Sequence, residues 1–153
     1  MRSRLNILHR HNLKLFAISN HLKGQAVCDD PIDFRHRAIV GSKVWGDGDA
    51  ESMRQRAADE LKNTAIAARR LGVDTVVGFT GSSIWQYVAM FPPVDQGVID
   101  AGYENFAKRW NPILDVFGTE GVRFAHPSEI AYDYWTTVRT LEAIEHRPEF
   151  DIN

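Results

Sequence analysis

The sequence predicts an α/β fold in which parallel strands alternate with helices, and two observations carry this prediction. Short apolar runs alternate along the chain with longer segments whose apolar residues recur at helical spacing. Several of the short runs end in small or polar residues, as strands do when a ligand site lies at their carboxyl ends. The 153 residues suffice for one domain, and nothing in residues 1–153 marks a domain boundary.

Composition and charge indicate a globular protein and argue against several classes of partner. The chain is 44% hydrophobic and 25% charged, the mix of an ordinary globular protein, with a net charge of -2. It has no basic stripe for nucleic acid and no apolar run of the ~20 residues that span a bilayer. Cys28 is the only cysteine, which fits a reducing compartment. We therefore expect a cytoplasmic protein with neither a nucleic-acid nor a membrane partner.

The first half of the chain predicts two strands and one helix. Residues 13–18 are apolar and end in polar residues, which indicates a strand, and the β-branched run 74–79 indicates a second one. Between them, residues 23–49 are rich in Gly, Pro and Asp and predict a long loop, which is either functional or disordered. A helix then begins after the N-cap Asp49 and ends at Gly72.

A long amphipathic helix is predicted across residues 99–117. Pro112 lies inside it, so we expect a kink or a break near Asn111. Residues 122–125 follow as the third strand, because they are short, largely apolar and bounded by Gly on one side and His-Pro on the other.

The last predicted helix follows Ser128, which can cap it. Its apolar stripe runs from Tyr132 to Ile144, and Pro148 closes it. Residues 150–153 resemble the beginning of a fourth strand. The basic segment 1–10 is interpreted as part of a surface helix, with a transit peptide as the alternative.

The strand ends supply the candidate site, because the carboxyl ends of parallel strands meet at one edge of the sheet. The candidate substrate-binding residues are Asn20, His21, Gly81, Ser82, Ser83, Trp85 and His126. The alternatives are structural: His21 as a capping or core histidine, His126 as a packing residue, and residues 80–83 as a plain helix-entry turn. The turn lacks the lysine pattern of a P-loop. Trp85 is either an aromatic wall for a sugar or a packing residue.

Five stretches carry a resemblance to a known family: AISNHLKGQAVCDDPID, VVGFTGSSIW, FPPV, RWNPILDVF and HPSEIAYDYWTTVRTLEAI. Together they resemble the sugar phosphate isomerase/epimerase family, whose members have a xylose-isomerase-like TIM barrel. The resemblance covers residues from about 13 to 153. It implies a partial (β/α)8 barrel of about three and a half βα units, corresponding to the third, fourth and fifth strands and the start of the sixth.

The resemblance also implies a small-molecule substrate, a sugar or sugar phosphate, and a divalent metal (Mg, Mn or Zn) in the intact family. Two Glu, one Asp and one His hold that metal. The family reads Phe-Ala-His-Glu-Val-His-Pro-Ser-Glu where residues 124–129 read FAHPSE, so the metal-binding Glu is missing. Residues 151–153 match the approach to the ligand Asp but do not reach it. We expect this chain alone to hold no metal.

Two functions remain open at this point. The first is a metal-dependent aldose–ketose isomerase or epimerase, present in a truncated form that is inactive alone. The alternative is a non-catalytic α/β domain that binds a sugar or a partner. A small doubly wound sheet is the alternative architecture. Because a half-barrel leaves two sheet edges open, we also expect self-association or a missing barrel half.

Overall fold

The computed structural model describes residues 2–87, 90–127 and 134–153, with only the backbone described at residues 2–4 and 134–135. The helices are α1 (Arg2–Arg10), α2 (His21–Gln25), α3 (Phe34–Trp45), α4 (Ala50–Leu71), α5 (Gln96–Glu120) and α6 (Tyr134–Ala143). The strands are β1 (Ile18–Ser19), β2 (Thr75–Val77), β3 (Arg123–His126) and β4 (Phe150–Ile152). A single 3₁₀ turn, Trp85–Tyr87, follows β2 among these residues. None of the described helices combines the length and apolarity that crossing a membrane requires.

The four strands form one open parallel sheet in the order β1-β2-β3-β4. Crossovers between parallel neighbours are almost always right-handed, so a sheet in chain order collects its helices on one face. A doubly wound sheet instead reverses its strand order near the middle, and the described strands show no reversal. The predicted α/β fold with parallel strands is confirmed, and the order is that of a barrel segment.

One face of the sheet packs against the helices through aromatic side chains. Phe124 and Phe150 pair in register, and the Trp110 ring of α5 lies 4.6 Å from the Phe124 ring, centroid to centroid. Phe117 packs edge-on against the same ring at 5.8 Å. Burying such side chains contributes roughly 1.5–3 kcal/mol each. The next register row, Val77 and Ala125 among them, faces away from the helices.

The helix predicted after Asp49 is confirmed at both ends. The Asp49 carboxylate accepts a hydrogen bond from the Ser52 amide at 2.8 Å, which caps α4. Gly72 ends it in the left-handed conformation at φ 74°. The inner face of α4 is fully buried and consists of Met53, Ala57, Leu61, Ala65 and Ala68.

The long loop predicted for residues 23–49 is wrong, because α2 and α3 occupy much of it. The Asp33 carboxylate accepts a hydrogen bond from the Arg35 amide, and the Asp33 amide donates to His36, so α3 has a full capping box. Gly41, at φ 75°, interrupts α3 after two turns. This interruption removes the long helical periodicity that would have revealed the helix.

Of the kink or break expected near Asn111, the break is absent, since α5 runs from Gln96 to Glu120 with Pro112 inside it, and the kink stays a prediction. A proline in a helix interior costs about 3 kcal/mol. Four side chains around the proline are fully buried and offset that cost: Trp110, Ile113, Leu114 and Phe117.

The other predicted elements differ from the observed ones mainly in their boundaries. The strand predicted over 13–18 begins at Ile18, and the other strands lie within about a residue or two of their predicted positions. The helix predicted at the amino terminus is α1. The predicted cap Ser128 lies outside the described residues.

Glycine at position 81 is required by a close backbone approach, which a matched pair of variants can test. Gly81 and Gly121 have similar φ, 67° and 64°, but a Cβ at 81 would lie 2.0 Å from the Gln25 carbonyl oxygen, whereas one at 121 meets nothing within 4 Å. Gly121→Ala should cost ~1–2 kcal/mol for its conformation alone. Gly81→Ala should lower the free energy of unfolding by a further ~1–3 kcal/mol compared with Gly121→Ala, as measured by urea denaturation. Equal losses would contradict the close approach.

Candidate functional site

A cavity of about 560 Å³ lies at the carboxyl edge of the sheet. Three parts of the chain line it: the end of α2 and the turn after it, the first two turns of α3, and the loop after β2. The lining residues from these parts are Gln25, Asp29, Asp30, Pro31, Arg35, His36, Ile39, Phe79, Thr80, Gly81, Ser82, Trp85, Gln86 and Tyr87. His126, at the end of β3, completes the lining. The cavity therefore occupies the position in which parallel α/β folds bind ligands.

A buried carboxylate organises this cavity. Asp29 is 9% exposed, and its Oδ1 accepts hydrogen bonds from Gln25 Nε2 at 2.8 Å and from the Ser82 amide at 3.1 Å. Its Oδ2 lies 3.0 Å from His36 Nε2. We call these four residues the Asp29 cluster. It links α2, α3 and the loop after β2 through one side chain.

His36 is held in one tautomer by its surroundings. The Asp33 amide donates to His36 Nδ1 at 3.1 Å, which requires Nδ1 to be the unprotonated nitrogen. Nε2 then carries the proton and donates it to Asp29. Since both ring nitrogens are bonded to protein and the residue is 6% exposed, His36 positions the carboxylate and is not placed to exchange protons with a ligand.

Arg54 also holds the backbone of the turn that carries Asp29. Arg54 of α4 is 9% exposed and donates from Nε and Nη2 to the Asp29 carbonyl oxygen, at 3.1 Å and 2.7 Å. Nη2 also contacts the Asp30 carboxylate at 3.1 Å. A buried guanidinium needs such partners, and here they attach the turn at Asp29 and Asp30 to α4.

Two of the predicted residues are histidines that lie near each other. His126 is 5% exposed, and burial lowers its pKa, with the nearby charge of His21 acting in the same direction. Its Nδ1 lies 3.4 Å from the Gly78 carbonyl oxygen. His21 begins α2, and its ring packs edge-on against Phe79 at 4.6 Å between centroids. His21 thus supports a residue of the cavity wall.

Asn20 is directed toward a helix. Its side-chain amide donates to the Thr64 hydroxyl of α4 at 2.8 Å. The cavity lining, which includes Gly81, Ser82, Trp85 and His126, does not contain it. The substrate-binding role of Asn20 stays a prediction, and the structure gives the side chain a role in joining α4 to the end of β1.

The loop after β2 brings the remaining predicted residues together. The Ser82 amide is bonded to Asp29, and its hydroxyl oxygen accepts a hydrogen bond from the Ile84 amide at 3.1 Å. The Ser83 carbonyl accepts a hydrogen bond from Gln86 at 3.1 Å. Trp85 lines the cavity and is 56% exposed. Their substrate-binding roles also stay predictions.

Sequence reasoning missed Gln25, Asp29, His36 and Gln86. The first three lie in the segment interpreted as a loop, where no periodicity points to them. The available signal is the spacing of Asp33 and His36, which matches that of a helix cap and its third residue. Gln86 joins the two sides of the cavity, since its Nε2 also contacts the Asp30 carbonyl oxygen at 3.1 Å.

The described residues do not fit a divalent metal. Within residues 2–87, 90–127 and 134–153, no group of three or more His, Cys, Asp or Glu side chains is placed to hold one. The buried Asp29 carboxylate is already surrounded by three protein donors. Glu129 of the family motif lies outside the described residues. We therefore derive no chemical step through a metal.

A family model described as the xylose isomerase-like TIM barrel matches residues 3–153. The chain belongs to this family. The membership agrees with the sheet, whose strands are parallel, in chain order and flanked by helices on one face.

Two solved structures share the fold of this xylose isomerase-like chain. One is the probable 3-DHS dehydratase AsbF, involved in petrobactin synthesis, from Bacillus anthracis, with a TM-score of 0.60 and 14% identity over 99% of the chain. Another is a D-allulose 3-epimerase from Methylomonas sp., with a TM-score of 0.56 and 12% identity over 96% of the chain. The chain spans 43% and 44% of their lengths. A search of curated protein sequences returns no significant match.

The Asp29 cluster can be tested by replacing the carboxylate with an amide. In Asp29→Asn, an NH₂ group must face either the His36 N–H or the donors at Oδ1, so we expect a loss of ~1–3 kcal/mol in the free energy of unfolding. Asp59→Asn is the control, because Asp59 is exposed and its contact with Lys62, at 3.4 Å, is a surface ion pair. Chemical denaturation measures both, and similar losses would contradict the central role of Asp29.

The lowered pKa of His126 predicts a dependence of stability on pH. Folding favours the neutral imidazole, so the unfolded chain binds the extra proton as the pH falls below about 6.5, and stability decreases from there downward. His126→Gln should reduce that slope between pH 5 and 7 by up to about 1.4 kcal/mol per pH unit. The carboxyls of Asp33 and Glu51, with pKa values lowered to about 2, lose their contribution only at lower pH. An unchanged slope, with exposed His11→Gln as the control, would contradict this assignment.

Proposed function

We propose that the cavity binds a small sugar or sugar phosphate, and that the chain is the substrate-binding part of an isomerase or epimerase. The observation that carries the proposal is the cavity itself, which is lined by both polar and aromatic side chains at the carboxyl edge of a parallel sheet of this family. The D-allulose 3-epimerase that shares the fold acts, by its name, on a sugar.

The lining matches the chemistry of a hydroxyl-rich ring. Such a ligand needs donors and acceptors around its hydroxyls and an apolar surface against its C–H face. In this proposal Trp85 supplies the apolar surface, and Ser82 and Gln86 lie on the same loop beside it. The Asp29 cluster keeps that loop in place and so orients the groups that meet the ligand.

The described residues are proposed to bind and orient the sugar rather than to complete the reaction. Moving a proton between adjacent carbons needs an acid or base in contact with the substrate. Asp29 and His36 are bonded to each other and to protein groups, which leaves them to a positioning role. We therefore expect no turnover from the 153-residue chain alone. The alternative function is a non-catalytic domain that binds a sugar or a partner.

The binding part of the proposal is tested with Trp85→Ala. A ketohexose and its 6-phosphate serve as probes in isothermal titration calorimetry. Removing the ring should weaken binding about tenfold, since ~1.4 kcal/mol corresponds to a factor of ten. Ile7→Ala, which removes an exposed apolar side chain of α1 outside the cavity, should leave binding unchanged.

The catalytic part is tested separately, by incubating the chain with Mg²⁺, Mn²⁺ or Zn²⁺ and either an aldose or a ketose. Binding without turnover is the expected result. Turnover that Trp85→Ala removes would contradict the inactivity of the chain alone. Failure of both sugars to bind would remove the proposed function and leave the partner-binding alternative.

A further inference from the structure

A separate cavity of about 260 Å³ lies between α4 and α5. Four cationic side chains line it: Arg54 and Lys62 from α4, and Lys108 and Arg109 from α5. Glu51 is the one carboxylate among its described lining residues. Four cations less one carboxylate leave this lining positively charged, although the chain as a whole has a net charge of -2.

The two guanidinium groups of this cavity are held in fixed positions. Arg109 donates from Nη1 and Nη2 to the two Glu51 carboxylate oxygens, at 3.0 Å and 2.8 Å. Arg54 Nη2 contacts the Asp30 carboxylate at 3.1 Å, and Arg54 Nη1 lies 3.7 Å from Glu51. Both arginine side chains are largely buried, so their charges are less screened by water than those of a surface arginine. Each terminal nitrogen carries a second N–H group, which suits the oxygens of an anion.

The two lysines leave positive charge for a ligand. Lys62 lies 3.4 Å from the Asp59 carboxylate, in a surface pair of the kind that contributes little to stability. Lys108 is exposed and forms no ion pair with any residue that the structure describes. Even when Glu51, Asp30 and Asp59 are all counted as partners, the four cations keep an excess of one positive charge.

The cationic side chains repel one another across the cavity. Lys62 and Lys108 come from different helices, so no pairing along one helix accounts for their approach to the same cavity. A cleft lined by one sign of charge concentrates counter-ions. An anion bound between the helices would remove the repulsion, and it would therefore stabilise the packing of α4 against α5.

We propose that this cavity binds a phosphate group, carried either by inorganic phosphate or by a phosphomonoester. We call it the α4–α5 anion site. Its 260 Å³ lie below the ~300–1,000 Å³ of sites for drug-sized ligands, and they suffice for a small anion with a few waters of about 30 Å³ each. A phosphate group offers several oxygens, so it can accept from guanidinium and ammonium groups at the same time.

Isothermal titration calorimetry with sodium phosphate tests the site, with sodium chloride of equal ionic strength as the reference. The double variant Lys62→Gln/Lys108→Gln should bind phosphate at least about tenfold more weakly than the wild-type chain. The control is Lys14→Gln/Lys43→Gln, which removes the same charge from exposed lysines outside the cavity and should keep the affinity. Equal losses in both variants, or no phosphate binding by the wild-type chain, would overturn the proposal.

Methyl phosphate distinguishes the two sources of the phosphate group. If methyl phosphate binds as tightly as inorganic phosphate and the Lys62→Gln/Lys108→Gln variant loses both, the site accepts phosphomonoesters. If the wild-type chain binds inorganic phosphate alone, the site takes the free anion. Neither probe carries a sugar, and no residue of the α4–α5 anion site lines the cavity of the proposed sugar function. The outcome is therefore independent of that function.

Lysine acetylation of the wild-type chain keeps the inference testable if the double variant does not fold. With acetic anhydride as the reagent and mass spectrometry as the readout, phosphate should slow the modification of Lys62 and Lys108 severalfold. The rates at Lys14 and Lys43 should not change. Equal rates at Lys62 and Lys108 with and without phosphate would also overturn the proposal.

Discussion

A parallel sheet whose strands follow one another in chain order collects its helices on one face, and the rest of this molecule depends on that constraint. The face that meets the helices holds the large aromatic residues Trp110, Phe124 and Phe150, whose burial stabilises the fold. The other face carries smaller side chains such as Val77 and Ala125, and the paired charges of Arg123 and Asp151. The same constraint sends every strand end to one edge, which is why the polar residues converge there.

The cluster at that edge is built on a buried carboxylate. Burying a carboxylate costs folding free energy unless its oxygens accept hydrogen bonds. The Asp29 carboxylate accepts hydrogen bonds from three protein donors, and the Arg54 guanidinium donates to the Asp29 carbonyl oxygen. Apolar packing could hold the loop after β2 equally firmly, but it would leave the loop's backbone amides unpaired. The cluster therefore gives the cavity a fixed wall while keeping its surface polar, as a hydroxylated ligand requires.

The sequence predicts those parts of the fold that depend on interactions between neighbouring residues. Asp49 and Gly72 bound α4 because capping and left-handed termination depend only on neighbouring residues. His21, Ser82 and His126 are predicted as site residues because each lies at or after the end of an apolar strand, and that role stays a prediction. Asp29 and His36 were not found, because their partners are brought together by tertiary contacts that no spacing records. The continuation of α5 past Pro112 is hidden from the sequence for the same reason, since the packing around the proline outweighs its local cost.

The geometry of the strand-end edge also bears on the proposed function. The four described strands bring their carboxyl ends to one edge, and Trp85 in the cavity beside them is 56% exposed. Under the proposed sugar function, a ligand in this open cavity keeps much of its hydration. Catalysis at carbon instead requires water to be excluded, so that the fixed dipoles of the protein act on the substrate. The described residues are therefore better suited to bind and orient such a ligand than to complete a reaction on it.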